Sequence, residues 1–175
     1  IIGGGVSGTN AAEIAVGMRA DVTVFDRNNN RLAELDAQFN GLVKTMYSTK
    51  ASLAAAVKEA GLAPGEANEI IMGNCLPAGQ GQAPARQAGF NAGQDKGLEA
   101  VTINKMCGSG MQATIMGRNA ILSGDAEIVI AGGMESMTNA PHLINARKGH
   151  KYGTMAAEDH MALDGLSDAY SKGPM

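Results

Sequence analysis

The chain has 175 residues, enough for one domain or two small ones. A net charge of −3, no basic run, three Phe, three Tyr and no Trp exclude nucleic acid as an expected partner. Apolar runs such as 128–131 fall far short of the ~20 residues that a membrane span needs, and the two cysteines fit neither a disulfide framework nor a metal signature. No membrane association and no metal are therefore expected, the N-terminus shows no signal pattern, and a reducing cytoplasm is the expected setting. Glycine, 24 residues, stands at about twice its usual ~7 % share and suits many tight strand-to-helix turns. Residue 1 is Ile, and the sequence opens inside an expected strand.

Ile1-Ile2 is followed by Gly3-Gly4-Gly5-Val6-Ser7-Gly8, which has GxGxxG spacing at Gly3, Gly5 and Gly8. A helix with Ala11, Ala12, Ile14, Ala15 and Met18 apolar comes next, and then a strand over 21–26 that ends in Asp26. This is the arrangement a dinucleotide needs. Gly3 permits the tight turn, Gly5 the approach of a pyrophosphate and Gly8 close helix packing, while Asp26 accepts from ribose hydroxyls. A carboxylate there repels a 2′-phosphate and favours NAD, and the adjacent Arg27 keeps NADP open. The alternative is an ordinary βαβ unit in which Asp26 caps the next turn.

Gly3-Gly4-Gly5-Val6-Ser7-Gly8-Thr9-Asn10-Ala11-Ala12, the stretch 17–26 and Asn29-Asn30-Arg31-Leu32-Ala33-Glu34-Leu35-Asp36 resemble the NAD-binding domain of alanine dehydrogenase and its relatives. The resemblance implies a partial Rossmann unit over 1–60. Leu32, Leu35 and Phe39 form the stripe of its second helix and 42–48 its third strand. A helix is expected over 51–60, and the composition changes at Gly61-Leu62-Ala63-Pro64-Gly65, a helix stop and loop. The join is placed between Thr49 and Gly61.

Beyond it, the expected order is a short buried strand (70–72), loop, helix opened by Pro84, a short buried strand (100–103), turn, a helix (112–122) with Ala113, Met116, Ala120 and Ile121 on one face, and a continuous apolar strand (128–131) covered on both faces. Parallel strands joined by helices follow from this alternation. Cys107 falls at the strand-to-helix turn, where the helix dipole favours a thiolate. Gly108 and Gly110 there let a thioester carbonyl approach the backbone. Cys107 is thus either a nucleophile or a buried structural thiol.

Three blocks resemble the thiolase family: Asn104-Lys105-Met106-Cys107-Gly108-Ser109-Gly110-Met111-Gln112-Ala113, the stretch 71–82 before it, and Ala131-Gly132-Gly133-Met134-Glu135-Ser136-Met137-Thr138-Asn139-Ala140-Pro141 after it. The resemblance implies that residues 61–175 are a thiolase-like N-terminal half of layered αβα type, with a loop domain from about 139. Cys107 would then be the nucleophile that takes an acyl group from acyl-CoA and passes it to acetyl-CoA. The family's histidine base and second cysteine belong to a C-terminal half outside these residues. A coenzyme A thioester as substrate and a homo-oligomer are implied in the same way. Pro174 stands where biosynthetic thiolases often have histidine, which bears on acyl preference.

Met134, Met137, Met155, Met161 and Met175 are read either as the lining of an apolar pocket or as core filler. His142, His150 and His160 match no catalytic motif, Cys75 is read as structural, and Glu158-Asp159-His160 as a solvated face. Two other readings stay open: an NAD-binding fragment of an alanine dehydrogenase-like oxidoreductase, and a composite chain without activity of its own.

Overall fold

A computed structural model of the chain describes residues 1, 4–49, 52 and 61–175. Its elements are α1 (Val6–Gly17), β1 (Val22–Asp26), α2 (Asn29–Phe39), β2 (Val43–Tyr47), β3 (Glu69–Gly73), α3 (Pro84–Asn91), β4 (Glu99–Ile103), α4 (Ser109–Ser123) and β5 (Val129–Gly133). A 3₁₀ turn (Met137–Asn139), two short strands, β6 (His142–Leu143) and β7 (Glu158–Asp159), and a π-helical turn (Ala162–Leu166) follow. The fold is mixed α/β. Gly3 and nearly all of the helix expected over 51–60 lie outside the described residues.

In the N-terminal part β1 and β2 pair in parallel from Val22↔Val43 to Asp26↔Tyr47. Ile1 continues this sheet: its amino group donates to the Thr23 carbonyl at 2.7 Å, and Phe25 N–H donates to the Ile1 carbonyl at 2.7 Å. Helix α2 starts where the Asn28 side chain accepts from the N–H groups of Asn30 and Arg31, and stops at Asn40 in the left-handed conformation. Its stripe of Leu32, Leu35 and Phe39 is buried as its spacing predicts, and Leu35 and Phe39 close a core with Ala12, Val22, Val24 and Val43.

The second part is a parallel sheet of order β4-β3-β5. The middle strand is buried at Ile70, Ile71 and Met72, and its core includes Ala67, Ala85 and Leu98. Pro84 opens α3, as expected of a residue with no N–H to lose in the first turn.

Two expectations need correction here. The strands at 100–103 and 128–131 are half-buried, because in the described sheet β4 and β5 flank β3 and each has a single strand neighbour. Of the expected face of α4 only Ala113 is buried, while Ile121 is 47 % exposed. The buried residues of the helix are Ser109, Gly110, Ala113 and Gly117. Small residues win because the helix lies directly on the sheet: a Cβ on Gly117 would sit 3.0 Å from Val129 Cγ1 and 3.4 Å from Ala131 Cβ. Periodicity of large apolar side chains cannot reveal a face made of glycine.

The two parts touch through α1, which packs on α4 and β5. Gly73 and Gly133, at the C-terminal ends of β3 and β5, line one cavity with Gly5 and Gly8 at the start of α1.

Candidate active site

Cys107 sits in the five-residue connection between β4 and α4, as the sequence predicts, and is exposed. The connection is held by its own polar groups. Asn104 Oδ1 accepts from Met106 N–H at 2.9 Å, and Ser109 Oγ accepts from Lys105 N–H at 2.8 Å. The Ser109 hydroxyl donates to the Met106 carbonyl at 2.5 Å, while Gly108 N–H donates to the Lys105 carbonyl at 3.1 Å. These bonds hold Met106 at φ +49°, a left-handed conformation that costs a residue with a Cβ about 1–2 kcal/mol. The sharp bend places Cys107 just ahead of the N-terminus of α4.

Cys75 comes to the same place from the end of β3. Its thiol donates to the Met106 carbonyl at 2.8 Å and lies 3.5 Å from Ser109 Oγ. Glu135, just after β5, fixes this strand end through both carboxylate oxygens, accepting from Cys75 N–H at 2.8 Å and Leu76 N–H at 3.0 Å. Burial pushes the Cys75 thiol above its ordinary range; the Ser109 hydroxyl works against this, while Glu135 and Cys107 add to it.

Both cysteines line one cavity of about 430 Å³. Ser109, Gly110 and Glu135 border it, as do Met106, Met134, Met137 and Met161. Of the five methionines read as pocket lining or filler, three face this cavity, whereas Met155 and Met175 are exposed elsewhere. Gly5, Gly8 and Asp26 line the cavity from the other side. The described members of the glycine-acid set and Cys107 are thus brought together, although they lie about a hundred residues apart in sequence.

Around Asp26 the contacts are those of a turn cap: Oδ1 accepts from Asn28 N–H at 2.8 Å and Oδ2 from Gly4 N–H at 2.6 Å. Arg31 completes this corner, its Nε donating to the Gly4 carbonyl at 2.6 Å and its guanidinium to Thr9 Oγ1 at 2.7 Å. A Cβ on Gly5 would meet open space, so the loop is accessible at that point.

Cys75 and Glu135 carry no spacing signal in the sequence, because the contact between them joins strand ends that only the sheet order brings together, whereas Ser109 acts within four residues of the turn it holds. Nor is Glu158-Asp159-His160 a solvated face: His160 is 4 % exposed. Its Nδ1 donates to Asp164 at 2.6 Å and its Nε2 accepts from Ala78 N–H at 3.4 Å, an assignment that follows from the amide being the donor. Residue 160 follows the short strand β7 and opens the helical turn that runs on to Leu166, where Asp164 stands one turn further along. Among the described residues no group of three or more His, Cys, Asp or Glu side chains could hold a metal ion.

The family profile described as "Thiolase, N-terminal domain" matches residues 34–175. The chain belongs to the thiolase family. It is 49 % identical over 119 residues to the acetyl-CoA acetyltransferase of Cupriavidus necator, an overlap of 67 % of this chain and 30 % of that enzyme. The acetyl-CoA acetyltransferase of Schizosaccharomyces pombe is 43 % identical over 141 residues, 78 % of this chain and 36 % of that one. The crystal structure of Acat5 thiolase from Ascaris suum in complex with coenzyme A superimposes with a TM-score of 0.65 at 40 % identity, covering 69 % of this thiolase chain and 31 % of that one. The chain spans about a third of the length of these thiolases. A second profile, "Pyridine nucleotide-disulphide oxidoreductase", matches residues 1–52 and shares 34–52 with the thiolase match.

Proposed function

We propose that this chain carries the nucleophile half of a thiolase-type acyltransferase, acting on acyl-CoA. The observation that carries this reading is the placement of Cys107, exposed beside a cavity of about 430 Å³ and ahead of the N-terminus of α4. The Cys107 thiolate attacks the thioester carbonyl of acyl-CoA, coenzyme A leaves as its thiol, and the acyl-enzyme passes its acyl group to the α-carbon of acetyl-CoA. The backbone of Gly108 and Gly110 lets the carbonyl approach, and the methionines of the cavity accommodate the acyl chain. The base and the second acid-base group of the family come from its C-terminal half. A homo-oligomer in the cytoplasm is part of the same reading.

The test is protection of the nucleophile. Acetyl-CoA is expected to slow alkylation of Cys107 by iodoacetamide, followed by peptide mass mapping, and to leave an acetyl group on Cys107 in the wild type only. Equal alkylation with and without acetyl-CoA would reject the reading.

A second reading is favoured by Gly5, Gly8 and Asp26 lining the cavity and by the nucleotide-oxidoreductase match at 1–52. Residues 1–60 then form a partial Rossmann unit of the alanine dehydrogenase kind, with residues 61–175 as the thiolase half. Gly5 and Gly8 would lie against the pyrophosphate of NAD, and Asp26 against its ribose. Saturable NADH fluorescence that disappears in Asp26→Ala and Gly5→Val supports it; binding unchanged by either substitution rejects it.

A further inference from the structure

Cys75 stands outside the residues to which the thiolase resemblance gives a role, yet its contacts converge on the bend that presents Cys107. The Met106 carbonyl accepts from three donors: Ser109 N–H at 3.0 Å, Ser109 Oγ at 2.5 Å and Cys75 Sγ at 2.8 Å. Two of these belong to the first residue of α4. The third arrives from a separate strand, which Glu135 anchors by accepting Cys75 N–H at 2.8 Å. The carbonyl so held is that of the residue at φ +49°, and it shares its peptide plane with the nitrogen of Cys107.

We propose that Cys75 is a positioning residue for Cys107: its S–H and the Ser109 hydroxyl clamp the Met106 carbonyl, fixing the Met106–Cys107 peptide plane and thereby the direction in which the Cys107 side chain leaves the backbone. The clamp needs a thiol that keeps its proton. Burial supplies this by raising the Cys75 thiol above its ordinary range, so that at neutral pH it remains a donor. A valine would fill the space without donating, and the Met106 carbonyl would be held by Ser109 alone. The proposal rests on the reading of Cys107 as the nucleophile, but the clamp itself is measured without any acyl transfer.

The experiment compares the wild type with Cys75→Val and Cys75→Ser, measuring Cys107 alkylation by iodoacetamide between pH 6 and 9 with peptide mapping. Loss of one hydrogen bond is expected to slow Cys107 about 5-fold in the valine variant, whereas serine, which keeps a donor, stays within about 2-fold of the wild type. Should the valine variant fail to fold by circular dichroism, Cys75→Ala takes its place. Wild-type rates in the valine or alanine variant would overturn the proposal, and so would equal slowing in Ser and Val, which marks a packing effect. Failure of acetyl-CoA to protect wild-type Cys107, with the alkylation pattern as expected, would reject the acyltransferase reading and leave the clamp standing.

Discussion

Gly73, the last residue of β3, lies so close under Ser109 that a Cβ built on it would stand 2.5 Å from the Ser109 carbonyl carbon and 2.6 Å from Gly110 N. Both contacts are with backbone, so nothing at hand can swing aside. Gly73→Ala is therefore expected to cost more than ~2 kcal/mol in urea unfolding, since the helix that follows the nucleophile must lift from the sheet. Gly110→Ala is the contrast: its Cβ would meet Gly133 Cα at 3.5 Å, an ordinary contact, and helix propensity favours alanine. Its stability should match or exceed that of the wild type.

The two thiols differ in surroundings even though they share a cavity. Cys107 is exposed, whereas Cys75 is half-buried and its thiol is raised above the ordinary range, chiefly by burial. At pH 7.5 Cys107 should react with iodoacetamide about tenfold faster than Cys75, as read by peptide mapping. Cys75 should label only as pH climbs past the ordinary thiol value of about 8.5. Because its folded value is the higher one, folding stability is undiminished below that pH and falls as pH rises toward the folded value.

Glu69 and Glu99 stand opposite each other in the parallel register of β3 and β4. Burial, and then repulsion from Glu99, raise the Glu69 carboxyl above its ordinary value. The favourable linkage is complete below the unfolded carboxylate range, near pH 4.3, and is lost as pH rises through the folded value. Glu99→Gln should consequently stabilise the fold by a few tenths of a kcal/mol at pH 7, a small gain because water screens the pair. The gain should vanish toward pH 4, which thermal melts at the two pH values would show.

His160 ties the segment after β7 to the loop after β3, bonding Asp164 on one side and Ala78 N–H on the other. His160→Ala leaves that amide unpaired and is expected to cost about 1–3 kcal/mol. Trypsin cleavage at Arg147, Lys148 and Lys151 should accelerate, and gel analysis of a timed digest would reveal it.

What could be read from the chain alone was whatever is local or periodic. The stripe Leu32, Leu35 and Phe39 predicted α2, Pro84 marked the start of α3, and the polar-glycine run around Cys107 announced a turn between a strand and a helix. What stayed hidden depends on distance in sequence. Glu135 lies sixty residues from the amide of Cys75 that it holds, and no spacing rule connects them. The buried face of α4 escaped because Ser109, Gly110, Ala113 and Gly117 are too small to leave a period of large apolar side chains. His160 escaped because a polar triplet reads as solvated until its partners, Asp164 and Ala78, are known.

The cavity described above has walls from both ends of the sequence, with Gly5, Gly8 and Asp26 on one side and Cys75 and Cys107 on the other. A nucleotide at the glycine loop and acyl-CoA beside Cys107, the two ligands proposed above, would be thermodynamically linked if both bind this cavity, each changing the other's affinity by the same factor.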